Sequence, residues 1–429
     1  LGKFEKNIIS SIPTALQSYQ FLVNEYKDGF ISAATKGPLL VSLTTIFTEH
    51  FNVIEHNSGD STAVAIAYKN IFGLKKLLDV QFAKDVNCNY MFFGPTPVSY
   101  GCDLRELIYD RNGEVTNEGA KLLELFKNIA TKYLEDHDRI THAITDIDDT
   151  CYANPMHGVA IAGIDRSWLP HQPYPGIKEL HNQLTSLPNS SGYTTIVSAA
   201  PGAVKSKKLN DKGLIHIFGN NNFAFVQGEE SKIGIAAKGF SIVNTVLKRG
   251  DNPDGAFYRG IGNIKLARII QYLDIFPERN FIWFGDNGQA DEWVGSELLR
   301  LYPGRYTVCI HIVKEVKITI PNIIYFSSYS DLAKKLQERG IFTPVHVKDV
   351  IKSARSDCRQ SNVNAASPGQ REIHCATPLS MKRWYGGSTT SLVTRKIHKR
   401  RRTLKSPIRN NKKYTIRRRR RRRRRCSRQ

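Results

Sequence analysis

The 429-residue chain has no Cys-x-x-Cys pair, no apolar run of 18 or more residues and, over most of its length, almost no net charge. Each absence removes a class of protein. The seven cysteines, at positions 88, 102, 151, 309, 358, 375 and 426, are scattered and odd in number. That argues against a disulfide framework and a zinc site, and suits a reducing compartment. Without a long apolar run no membrane-spanning helix is expected, and the opening Leu1-Gly-Lys-Phe-Glu-Lys lacks the apolar core of a signal peptide. The formal charge of +23 suggests a nucleic-acid binder until it is divided by position. Ile351 to Gln429 holds 26 Lys and Arg against 2 Asp and Glu, which leaves 36 basic and 37 acidic residues elsewhere. The body is neutral, and the basicity is an appendage.

What is present divides the chain into three stretches, a number consistent with about 100–200 residues per domain. Residues 1–139 carry helical periodicity at Ser11 to Asn24 and Gly119 to Leu134. Leu39 to Leu43 and Ala63 to Tyr68 are apolar pieces that fit either strands or short buried helices. The expectation is an α/β accessory region, with Glu55 to Ser61 as a loop of turn residues. Residues 140–345 alternate apolar strands with amphipathic helices, the pattern of a parallel sheet with crossovers. Strands are expected at His142–Ile147, Tyr193–Val197, Phe281–Phe284 and Tyr306–Ile312, with Ile324–Tyr325 as a last one. Helices are expected at Gly176–Leu184, Ile264–Leu273, Asp291–Leu301 and Tyr329–Arg339. The fold class is therefore α/β, a Rossmann-like parallel sheet with helices on both faces. Pro201 to Arg259 is too long for an ordinary loop and reads as an inserted lid element; the aromatic, Pro-rich Trp168–Pro175 is a second lid candidate. Residues 346–429 read as a disordered Arg- and Lys-rich tail ending in nine consecutive arginines, Arg417 to Arg425.

The chemistry concentrates in Asp146-Ile147-Asp148-Asp149-Thr150, directly after the apolar run Ala143-Ile144-Thr145. Carboxylates this close raise one another's pKa, and a bound cation relieves the strain. Three further features fall at strand or helix ends: Ser198 after Thr194-Thr-Ile-Val, Lys265, and the loop Gly285-Asp286-Asn-Gly-Gln-Ala-Asp291. The set suits phosphoryl transfer. Asp146 would attack phosphorus and form an aspartyl-phosphate. Asp148, two residues on and on the same side of an extended chain, would protonate the leaving oxygen and then activate water. Asp286 would complete an all-oxygen Mg²⁺ site, and Ser198 and Lys265 would hold the phosphoryl oxygens. Asp149 falls on the opposite side of the chain and is assigned to loop structure. Cys151 reads as a buried filler rather than a reactive thiol, His157 and His171 as loop histidines, and Gly285 and Gly288 as enabling the acidic turn.

Asp146-x-Asp148-x-Thr150, Ser198, Lys265 and Gly285-Asp286-x-x-x-x-Asp291, in that order, resemble the four-motif signature of the haloacid dehalogenase superfamily of phosphatases. Thr145-Asp-Ile-Asp-Asp-Thr, Pro175-Gly176, Val197-Ser198-x-x-Pro201, Phe276-Pro277, Phe281-x-x-x-Gly-Asp-x-Gly-Gln-x-Asp291 and Tyr302-Pro303-Gly304-Arg305 narrow it. Together they resemble the catalytic domain of the actin-patch-associated phosphatidate phosphatases over about Ile140 to Val316. The resemblance implies Mg²⁺-dependent hydrolysis of phosphatidate to diacylglycerol. It implies that Asp146, the backbone carbonyl of Asp148 and Asp286 hold the metal, while Thr150 and Asp291 support the site from behind. Ala199, Ala200 and Gly202 depart from the family's polar and aromatic Ser-x-x-Pro turn, on the substrate side.

The arginine run has three readings: attraction to anionic lipid at about 1 kcal/mol per basic residue, nucleic-acid binding or a nuclear or nucleolar address, or a solvated tail. The first would bring residues 351–429 and the enzyme to phosphatidate at anionic membrane surfaces from the cytoplasm. Alternatives to a phosphatidate phosphatase are a phosphatase of a soluble or nucleic-acid-linked phosphomonoester, and a non-catalytic protein that binds through its basic tail.

Overall fold

The computed structural model describes residues 13–26, 33–57, 59–82, 104–109, 113–153, 164–198, 212–219, 223–227, 256–360 and 373–375. The chain divides into a unit spanning residues 1–376 and a second spanning 377–429. The arginine run, with its expected disorder, lies outside the described residues, as do His157, Ala199, Ala200 and Gly202.

Within the first unit the described elements begin with helices α1 (Ala15–Tyr26), α2 (Ala33–His56), α3 (Ser61–Val80), α4 (Leu104–Ile108) and α5 (Asn117–Tyr133). Then come β1 (Ile140–Thr145), α6 (Ile177–Thr185), β2 (Ser190–Ser198), α7 (Lys212–Phe218), β3 (Phe223–Gln227), α8 (Ala256–Ile275) and β4 (Arg279–Asp286). The series closes with α9 (Asp291–Leu301), β5 (Tyr306–His311), β6 (Ile323–Phe326), α10 (Tyr329–Glu338) and α11 (Pro344–Gln360). The six strands form one sheet in the order β3-β2-β1-β4-β5-β6, and every neighbouring pair is parallel. Strand order reverses between β1 and β4, so a crevice opens beyond their carboxyl ends, where open α/β sheets bind ligands.

Alternation along the strands builds two cores. Ile144, Phe281, Trp283, Val308, Ile310 and Ile323 point to one face, where α8, α9 and the helices of the N-terminal region pack. Ala143, Ile196, Ile282, Phe284, Cys309, Ile324 and Phe326 point to the other, against α6, α7, α10 and α11. This period of two is what a strand buried on both faces requires. Full burial of a single Phe281 side chain contributes about 1.5–3 kcal/mol, so the two faces together anchor the sheet firmly.

Among the described residues the N-terminal region is helical, not α/β. Leu39–Leu43 lies in α2, where Leu39, Leu40, Leu43 and Phe47 are buried while Val41 is exposed. Ala63–Tyr68 lies in α3, with Ala63, Ala67, Ile71, Leu74 and Leu78 along its buried stripe. A five-residue apolar run is too short to show period 3.6, which appears only over two or three turns. Asp60 is the N-cap of α3, its Oδ1 accepting from the backbone amides of Thr62 and Ala63 at 3.0 and 3.1 Å.

Three other expectations are corrected. The body does not end at 345: α11 buries Val347, Val350, Ala354 and Cys358, a helical stripe diluted by the polar residues between them. Cys358 is joined to Cys375 in a disulfide, where the scattered cysteines argued against a disulfide framework; the chain's return to α11 after position 360 leaves no mark in cysteine spacing. Trp168–Pro175 is not a lid. Trp168 and Tyr174 are buried, the Trp168 indole donates to the Pro173 carbonyl at 3.0 Å, and Tyr152 bridges to Pro173. In the Pro201–Arg259 interval the described parts are a crossover helix, α7, the edge strand β3 and the first residues of α8, so Phe223–Val226 belongs to the sheet.

Candidate active site

β1 ends at Thr145, and the next residue is held in the ladder by its backbone amide, which donates to the Phe284 carbonyl of β4 at 2.9 Å. Asp146 therefore stands at the carboxyl edge, one strand away from Asp286 at the end of β4. Ser198 is the last residue of β2, paired in register with Gln227, so its backbone lies at the same edge. Lys265 comes from α8, whose crossover brings it down onto the acids.

Lys265 Nζ lies 2.8 Å from Asp146 Oδ1 and 2.6 Å from Asp291 Oδ1, and all three side chains are buried. Burial alone would lower the lysine, but the Asp146 and Asp291 carboxylates outweigh it and hold the ammonium above its ordinary value. Carboxylate oxygens of Asp146, Asp286 and Asp291 lie within 4.8 Å of one another. Asp286 Oδ1 accepts from the amides of Gly288 and Gln289 at 2.5 and 3.2 Å, which orients the carboxylate. Its Oδ2, and Oδ2 of Asp291, are buried without a hydrogen-bond partner. Burial, then the charges of Asp291, Asp149 and Asp146, push the Asp286 carboxyl well above its usual range, with Lys265 opposing. Gly285 is required by close approach, since a Cβ there would sit 2.4 Å from the Cβ of Asp291.

These side chains fit a divalent cation. Three buried carboxyl groups share one ammonium, and one oxygen each of Asp286 and Asp291 has no hydrogen-bond partner. An oxygen-only donor set suits a hard cation such as Mg²⁺. Of the expected ligands, Asp146 and Asp286 come together, and Asp291, expected behind them, contributes a carboxylate oxygen to the same cluster. Asp148, expected to reach the metal through its backbone carbonyl, keeps its carboxylate outside this cluster, is half-buried and makes a backbone bridge with Tyr152.

Asp149 is a loop residue, as expected, and an informative one. It adopts φ of 60°, a conformation Asp tolerates better than most residues. Its Oδ2 accepts from the amide of Ile164 and from that of Asp165 at 2.9 Å. Its carbonyl accepts from His311 Nδ1 at 2.8 Å, and the Thr150 carbonyl accepts from the Tyr329 hydroxyl at 2.5 Å. Thr150 Oγ1 is buried without a partner. Cys151 is a buried filler whose Sγ donates to the Asp146 carbonyl at 3.1 Å, and His171 is an exposed loop residue.

The shell of Asp165, Tyr174, His311 and Tyr329 escaped the sequence reading. Only His311 carried a signal: it is a polar residue at the carboxyl end of an apolar strand, in register with Asp286. Comparison with protein-family models, curated proteins and solved structures finds no match for this chain.

Proposed function

We propose that the chain is a Mg²⁺-dependent phosphatase of the haloacid dehalogenase type, with phosphatidate as the substrate that its motifs indicate. The observation that carries the reading is the junction of Asp146, Lys265, Asp286 and Asp291 at the topological switch point of a parallel sheet. Bound there by Asp146 and Asp286, with Asp291 beside them, Mg²⁺ would neutralise the carboxylates and the charge of a phosphoryl group. Asp146 is the nucleophile, at the strand terminus and oriented by Lys265. The Lys265 ammonium, permanently charged at this position, holds a phosphoryl oxygen. Ser198, the last residue of the neighbouring strand, is assigned to the same group on its position in the sequence. Asp148 stands outside the carboxylate cluster, which leaves it a separate role: it gives a proton to the leaving oxygen, then takes one from the attacking water. Phosphatidate itself rests on the motif resemblance, with the basic segment after residue 376 as the element that attracts an anionic membrane.

The test is a phosphate-release panel with purified chain, comparing phosphatidate vesicles with soluble phosphomonoesters, with and without Mg²⁺. Turnover that requires Mg²⁺ and vanishes in Asp146→Asn is expected, with the largest turnover on phosphatidate. Near wild-type turnover by Asp146→Asn removes the nucleophile assignment. Activity confined to soluble esters replaces the lipid by a soluble substrate, and no turnover of any ester leaves the protein as a binder.

A further inference from the structure

The acidic loop is connected by an unbroken series of contacts to a disulfide outside the sheet. Asp149 is held by the backbone of Ile164 and Asp165 and by His311. Asp165 in turn is buried, and its Oδ2 accepts from the Tyr174 hydroxyl at 2.5 Å and from Ser167 Oγ at 2.7 Å. Ser167 Oγ meets His374 Nε2 at 2.9 Å. The His374 ring is buried, stacks on Tyr174 at 5.4 Å, meets Trp168 edge-on at 5.4 Å and lies 6.2 Å from His311. The residue after His374 is Cys375, joined to Cys358 on the last turns of α11.

His374 thus packs behind the acidic loop without belonging to β1, β4 or the helices that carry the acids. It sits on the short helical turn 373–375, and three residues do not make a stable helix by themselves. The disulfide ties that turn covalently to α11, which is seated through Val347, Val350 and Ala354.

We infer that His374 is a positioning residue for the acidic loop, and that the Cys358–Cys375 disulfide is a redox latch that keeps it in place. The inference rests on the phosphatase reading for its effect on turnover, but not for its effect on the loop. Attack by a thiolate of a dithiol reductant on either sulfur breaks the Cys358–Cys375 bond and forms a mixed disulfide. The second thiol of the reductant then closes its own disulfide, leaving two protein thiols, with two electrons and two protons transferred. Reduction frees the 373–375 turn, His374 withdraws from Ser167 and Tyr174, and Asp165 and Asp149 lose the backing that orients the loop.

The experiment uses the full chain, with Cys358 and Cys375 mapped by alkylation and mass spectrometry before and after a dithiol. Turnover of p-nitrophenyl phosphate with Mg²⁺ and hydrogen exchange of peptides covering 146–152 and 164–174 are followed together. Reduction is expected to lower kcat about tenfold, the lower end of what losing a supporting contact around a metal site costs. KM should stay nearly unchanged, and exchange in both peptides should rise. The Cys358→Ser/Cys375→Ser variant should behave like the reduced chain and ignore the dithiol. His374→Ala should resemble it, and His374→Gln, whose side-chain amide reaches Ser167 from the place of Nε2, should recover most of the oxidised behaviour. Unchanged exchange in the 164–174 peptide on reduction, or a chain in which the two cysteines cannot be joined by mild oxidation, overturns the inference. Should the oxidised chain hydrolyse no phosphomonoester, the phosphatase reading fails, and the exchange data alone decide the latch.

Discussion

Lys75 in α3 and Glu278, just before β4, are separated by 203 positions in sequence, and Lys75 Nζ bonds both carboxylate oxygens at 3.1 and 2.9 Å. Each is 1% exposed. Replacing Lys75 with methionine removes the charge but keeps an unbranched stem between the rings of Phe126 and Phe276, over which the ammonium now lies at 4.4 and 4.6 Å. Glu278 then retains Arg279, with Nε at 3.5 Å, as a cationic neighbour. Breaking a buried pair costs about 3–5 kcal/mol, and the remaining arginine places the expected loss near 3 kcal/mol. The intact pair is itself expensive. Burial outweighs the pull of Glu278 and pushes the Lys75 ammonium down from 10.5 to about 8, so keeping it charged costs about 3 kcal/mol. Lys75→Met combined with Glu278→Met is therefore expected within about 1 kcal/mol of the wild type. Between pH 8 and 10.5 the folded chain binds fewer protons at Lys75 than the unfolded chain. Wild-type stability should then rise with pH across that window, and this contribution should vanish in Lys75→Met. Urea unfolding, followed by the fluorescence of buried Trp168 and Trp283, measures all three chains. A single variant that loses less than about 1 kcal/mol, or a double variant as unstable as the single, refutes the reasoning.

Asp286→Asn should stabilise the metal-free chain by relieving the crowding of buried carboxyl groups, and should abolish the rise in melting temperature that Mg²⁺ gives the wild type. A full Mg²⁺-dependent shift in this variant would take Asp286 out of the metal site. Burial pushes His181 down to about 3; it stays neutral in the fold while the unfolded chain takes a proton near pH 6.5. Stability should thus fall by about 1.4 kcal/mol per pH unit as pH drops from there, and His181→Leu should remove that share of the slope in acid titration of denaturation midpoints. Truncation after Ala376 removes the second unit with its arginine run. Binding to phosphatidylserine vesicles should weaken strongly in a flotation assay while turnover of p-nitrophenyl phosphate is kept; unchanged flotation removes the lipid-tethering role.

The sheet was legible because its strands are short, continuous apolar runs between helices with a clear stripe. Asp291–Leu301 was expected at its observed bounds, and Phe281–Phe284 falls inside β4. Asp146 and Asp286 were legible for a different reason: charged residues at the ends of apolar strands need a partner, whereas Lys265, inside α8, and Asp291, at the start of α9, were legible from their order along the chain. The N-terminal helices were misread where the apolar window covered fewer than two helical turns. The backing of Asp149 was hidden because Asp165, Tyr174 and His374 are each ordinary in their own segment and acquire meaning only when folded together with His311. Cys375 was hidden in the same way.

The central position of β1 has a consequence for how the protein is made. β1 pairs with β2 on one side, about 50 residues later, but on the other side it waits for β4, in which Ile140 meets Arg279 and Thr145 meets Phe284. Such long-range pairing is slow because loop closure precedes its reward. A chain emerging from the ribosome therefore carries β1 with one edge unpaired until β4 has been synthesised, an open edge of the kind that recruits stray strands. The same delay keeps Asp146 away from Asp286 and Asp291 until Lys265 is already present. Synthesis order thus supplies the neutralising lysine before the last two acids arrive.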